Sequence, residues 1–129
     1  ADMANKGEEE LFVFFRDWLR ACYKREVTVA VEMGEGFQKF GREWQKSLFR
    51  YGLFIMRQCA LQWQQIPELV RVVGQEQEFV NNFSKLLNDR NVDGIRKELE
   101  TAHVHVERNA NPKVLFMDTS YRMMGLLRA

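Results

Sequence analysis

Apolar positions along this chain recur at spacings of three and four, the period of a helix with one buried side. Leu11, Phe14, Phe15, Trp18 and Cys22 form the first stripe and predict an amphipathic helix of about four turns. Glu8, Glu9 and Glu10 precede it, where a helix N-terminus favours carboxylates, and Lys24 and Arg25 follow it, where the opposite end favours cations. Residues 1–7 are polar and are expected to form a linker or frayed end, leaving 8–129 as one helical domain. The stretch VTVAVEM, Val27 to Met33, has strand-like composition. No second strand is in sight to pair with it, so a short helix ending near Gly34 or Gly36 is expected.

Arg42 to Gln64 carries the strongest signal. Trp44, Leu48, Tyr51, Ile55 and Cys59 form one stripe, and Phe49, Leu53, Met56, Ala60 and Trp63 an adjacent one. Two stripes imply burial over most of the helix circumference, as in a central post. Gly52 weakens this helix by about 1 kcal/mol, which close approach of another helix would offset. Pro67 suits a helix start, with Leu69, Val70 and Val73 as its apolar side and Gly74 as its stop. Phe79, Val80, Phe83, Leu86 and Leu87 mark a further helix. Asn91 is expected to cap the next one, whose core positions Val92, Ile95, Leu99, Ala102 and Val106 follow in register. Val114, Met117, Tyr121 and Met124 form the stripe of a last helix, with Phe116, Met123 and Leu127 beside it. The pattern predicts an all-α protein, a compact bundle of five to six helices with short connectors.

One connector is especially well specified. Asn109 follows the last core position of its helix, and Asn tolerates the left-handed conformation that closes a helix. Asn111 stands before Pro112, an N-cap followed by the residue that needs no donor in a first turn. The sequence N-A-N-P thus reads as a helix–helix turn in which the asparagines serve the backbone.

Composition refines this picture. In 129 residues, 46% are hydrophobic, with ten Phe and three Trp, enough for a core without covalent staples. The formal net charge of +1 leaves bulk electrostatics neutral on nucleic acid. Arg42, Lys46, Arg50 and Arg57 do share one side of the long helix. They are the candidate nucleic-acid contacts, against the plainer role of a solvated face. Cys22 and Cys59 fall on apolar stripes, as buried thiols of a reducing, cytoplasmic compartment do. His103 and His105 lie about 200° apart around a helix and so cannot share a metal. No phosphate-loop, dinucleotide or zinc-protease motif is present, and neither catalytic residue, cofactor nor metal is expected. Arg50, Arg57 and Gln58 interrupt the longest apolar run, which excludes it as a membrane span. Phe12, Phe37, Phe40, Phe54, Met123 and Met124 lie off or beside the main stripes and are candidates for an exposed association surface. The last helix, through Tyr121, Met123, Met124 and Leu127, is the preferred subunit contact.

The segment HVERNANPKVLFMDTSYRMMGLL resembles the end of the collar domain of bacterial DNA polymerase III clamp-loader subunits, most of all the delta-prime subunits of Bacteroidetes-type bacteria. LFVFFRDWLRACYKR, GREWQKSLFRYGLFIMRQCAL and ELVRVVGQEQEFVNNFSKLL are similar more loosely, so the likeness covers nearly the whole chain. It implies a collar-type fold and an oligomerisation role. The partners would be other clamp-loader subunits, with DNA reached through the assembled loader and no membrane or small-molecule substrate. ATP and Mg would belong to AAA+ domains N-terminal to this sequence. Two other readings remain: a small helical nucleic-acid-binding module using the basic side of the long helix, and a helical enzyme with a cleft near His103 and His105.

Overall fold

The computed structural model describes residues 2–128, with side chains from residue 7 onward. It contains six α-helices: α1 Asp2–Lys24, α2 Val27–Phe40, α3 Arg42–Trp63, α4 Gly74–Phe83, α5 Val92–Glu107 and α6 Pro112–Leu127. Single 3-10 turns, Pro67–Leu69 and Ser84–Leu86, flank α4. Among the described residues there is no strand, and no helix long and apolar enough to cross a membrane.

Helix α3 is roughly 33 Å long and packs against α5, α4 and α1, and more lightly against α2. Leu48, Phe49, Ile55 and Cys59 are fully buried on it, so both of its stripes are used. Helix α6 is a second hub, resting on α2, α5 and α1. Phe116 sits where these elements meet, with ring centroids 4.9 Å from Phe37, 5.2 Å from Trp18 and 5.9 Å from Phe14. Phe49 continues the network, 5.7 Å from Phe37. Trp18 carries a buried polar tie to α6: its Nε1–H donates to Ser120 Oγ at 2.8 Å, and that hydroxyl donates to the Phe116 carbonyl at 2.7 Å.

Several elements depart from expectation. Helix α1 begins at Asp2, running through most of the segment read as a linker. Helix α2 does not stop at Gly34 or Gly36 but continues to Phe40. Gly34 is buried where α6 crosses, and a Cβ there would stand 3.3 Å from Phe116 Cδ2. Its role is close approach rather than termination. Pro67 opens only one turn, because Val70 and Val73 are extended. Gly74, expected as a stop, starts α4, with a φ of +63° that turns the extended segment into the helix. Asn91 precedes α5 but makes no side-chain cap. It is fully buried, accepts from the Asn88 N–H at 2.9 Å, and donates to the carbonyls of Leu86 at 2.9 Å and Leu126 at 3.3 Å. It therefore ties the α4–α5 connector to the end of α6.

Candidate functional site

The α5–α6 corner has the geometry expected of N-A-N-P. Asn109 adopts φ +61°. Its N–H donates to the Val106 carbonyl at 3.1 Å, and the Ala110 N–H donates to His105 at 3.0 Å. These two bonds make a Schellman motif and satisfy the last carbonyls of α5. Asn111 Oδ1 then accepts from the Val114 N–H at 3.1 Å, with Pro112 in the first turn of α6. Arg42 reaches this corner from α3 and donates to the Glu107 carbonyl, a cation at a helix C-terminus.

The expected contact surface on α6 is corrected. Met123 is fully buried, and Met124 and Leu127 are 5% exposed. All three belong to the chain's own core, so a partner cannot reach them. Of the four residues only Tyr121 is exposed, at 53%, one stripe with Val114 at 66%. The helix packs on three neighbours, and its small polar residues Thr119 and Ser120 are inside. With polar groups buried and apolar ones outside, the pattern along the sequence does not mark which side faces out. Of the other off-stripe residues, Phe12 and Phe37 are buried, whereas Phe40 and Phe54 are 49% and 44% exposed.

Arg42, Arg50 and Arg57 are exposed on α3, and Lys46 is half-buried. They do not act as one free surface: Arg42 serves the α5 terminus and Lys46 Nζ lies 3.9 Å from Glu43. Arg57 lines a separate groove beside Arg96, Asp93 and Glu100.

The histidines diverge. His103 Nδ1 lies 3.2 Å from Glu107 Oε1, and its Nε2 is buried without a hydrogen-bond partner. His105 instead opens onto a groove of about 520 Å³ between α5 and α6 with Glu98, Asp118 and Arg122. There Arg122 engages both carboxylates, at 3.1 Å from Asp118 and 3.9 Å from Glu98. Among the described residues no group of three or more His, Cys, Asp or Glu is placed to hold a metal ion. Both cysteines are buried free thiols. Burial pushes each up to about 12, partly offset at Cys22 by its contact with Ser120, so neither is a ready nucleophile.

An aromatic cluster at the junction of α1, α2 and α3 was not legible from any one stripe. Phe40 and Trp44 stack at 4.1 Å across Gly41, and Phe14 meets them edge-on at 6.1 and 5.1 Å. Glu9, Glu10 and Asp17 border the open cleft that this cluster lines. The four-residue spacing of Phe40 and Trp44 was a signal, but it spans Gly41, where one helix ends and the next begins. Comparison of the chain with protein-family models, curated proteins and solved structures finds no match.

Proposed function

We propose that this chain is an assembly domain, the collar of a bacterial DNA polymerase III clamp-loader subunit, most like delta-prime. The observation that carries an assembly role is the pairing of a densely packed helical core with large apolar side chains turned outward on separate faces. Phe40 and Phe54 stand out from α2 and α3, and Val114 and Tyr121 from α6. Such outward apolar groups mark association surfaces when they cluster, as Phe40 does with Trp44. The collar identity rests on the resemblance of residues 105–127, whose turn has the geometry its asparagines imply. In this reading α6 still meets a neighbouring subunit, through Val114 and Tyr121 in place of the buried methionines. The domain holds loader subunits together in the cytoplasm, while ATP, Mg and the clamp belong to AAA+ domains of the parent chain.

The test is assembly of the loader from purified subunits, with and without residues 8–129 in the parent subunit, followed by size-exclusion chromatography. Loss of the complex with ATP binding retained supports the proposal. A complete loader without these residues, or a parent chain lacking an AAA+ region, overturns it. Val114→Lys with Tyr121→Lys tests the contact face separately, because both positions are exposed and the fold should survive.

A further inference from the structure

The groove between α1 and α4 joins an apolar floor to a cationic rim. Its floor is apolar, built from Phe12, Leu19 and the stacked pair Phe79 and Phe83, whose centroids are 5.4 Å apart. Its α1 rim is cationic: Arg16, Arg20 and Lys24 fall at successive steps of four residues. Each step advances about 6 Å along the helix. Arg20 and Lys24 are exposed and form no ion pair among the described residues, while Arg16 contacts Asp17 at 3.1 Å. At the end of the groove Tyr23 carries the Arg128 guanidinium over its ring at 5.1 Å, adding a further cation. Among the described residues, Glu78 is the only carboxylate in the lining. In a chain whose formal net charge is +1, this is a local concentration of positive charge around an apolar slot.

We propose that this groove binds a partner's peptide segment in which an apolar side chain is flanked by carboxylates. The slot, about 260 Å³, has room for one large apolar side chain. On an extended segment, residues two apart share a face and lie about 6.6 Å from each other, which matches the spacing of successive rim cations. Nucleic acid fits less well. Phe12, Phe79 and Phe83 are each less than a tenth exposed, so they offer no open ring face for a base to stack on. Tyr23 does have an exposed ring, but Arg128 covers one face of it. The slot and its rim lie on α1 and α4, with Arg128 alone added from the end of α6, so the site stands apart from the collar proposal.

The experiment is fluorescence anisotropy on the full chain with a short labelled peptide alternating aspartate with leucine and phenylalanine. Its counterpart with lysine in place of aspartate and a labelled oligothymidylate are run alongside. The acidic peptide should bind saturably and weaken with salt. Arg20→Gln with Lys24→Gln should lower its affinity by about tenfold. Asn82→Trp, which fills the groove from an exposed position on α4, should abolish binding while leaving the circular dichroism spectrum unchanged. Absence of saturable binding, equal binding of the lysine peptide, or an affinity unmoved by either variant overturns the proposal. Tighter binding of the oligothymidylate, lost in the same variants, overturns it in favour of nucleic acid.

Discussion

Replacing Gly52 with Ala should destabilise the protein, although helix propensity alone predicts the opposite. In the interior of α3 the change gains about 1 kcal/mol. The added Cβ, however, would stand 2.6 Å from Phe15 Cε1, 3.1 Å from Cζ and 3.3 Å from Cδ1. Carbon atoms prefer about 3.5–4.0 Å, so the ring would have to retreat by about 1 Å. It has nowhere to go: Phe15 is fully buried, held edge-on by Trp18 at 5.9 Å and Tyr51 at 6.1 Å. Overpacking of a rigid core costs about 1–3 kcal/mol, which equals or exceeds the propensity gain. The expected net loss is about 1 kcal/mol, or roughly 4 °C in Tm for a domain of this size. Gly125→Ala is the control. Nothing lies within 4 Å of its Cβ, so only the propensity gain remains and Tm should rise by a similar amount. Thermal and urea melts followed by far-UV circular dichroism measure both. Phe15→Leu in the Gly52→Ala background should show favourable coupling in a double-mutant cycle. If Gly52→Ala raises Tm as Gly125→Ala does, α1 and α3 do not pack as described.

Four further outcomes follow from the same geometry. Asn111→Ala removes the bond to the Val114 N–H and should cost about 1 kcal/mol in a urea melt. Asn91→Ala leaves the Asn88 N–H and the Leu86 and Leu126 carbonyls without their partner; at about 1–3 kcal/mol per unsatisfied buried group, the loss should clearly exceed that of Asn111→Ala, and a smaller loss would contradict the buried tie. Arg25 and Gln65 also hold positive φ, at 57° and 62°, so glycine at either should stabilise by about 1 kcal/mol through relief of left-handed strain, and Asn109→Gly by less, because Asn tolerates that region; an equal effect at all three would sink the strain argument. Cys22 and Cys59 have folded values raised from an ordinary 9.0 to about 12, so their contribution to stability is complete below pH 9 and is lost as pH rises from 9 towards 12; thiol reagents at pH 8 should label both only after unfolding, and rapid native-state labelling would refute their burial.

The class and most helix positions were legible because apolar period and backbone chemistry are local properties. Val92, Ile95, Leu99, Ala102 and Val106 repeat without interruption, and all but Val92 are buried on α5. The N-A-N-P turn was legible for the same reason, since each of its bonds joins residues within five positions of each other. Glycines were ambiguous because one residue type serves three needs: Gly34 allows α6 to approach, Gly52 makes room for Phe15, and Gly74 provides a positive φ. Which need applies depends on a partner segment remote in sequence.

The same non-locality explains why the surface was harder to read than the core. On α6 the sequence offers apolar residues on nearly every side, so the outward stripe of Val114 and Tyr121 emerges only once α1, α2 and α5 have claimed the rest. The hydroxyl of Ser120, polar in any sequence pattern, is inside because Trp18, at a distance of 102 positions, donates to it. Phe40 and Trp44 become one cluster only when Gly41, at φ +88°, folds α2 back on α3 and Phe14 arrives from α1. Arg16, Arg20 and Lys24 stand four residues apart on one helix, but they become the rim of a groove only with Phe79 and Phe83 opposite them. A surface that recognises a partner is made from residues of several helices. Which side chains stay outside is decided by the packing of helices remote from one another in sequence, so such a surface is legible only from the fold.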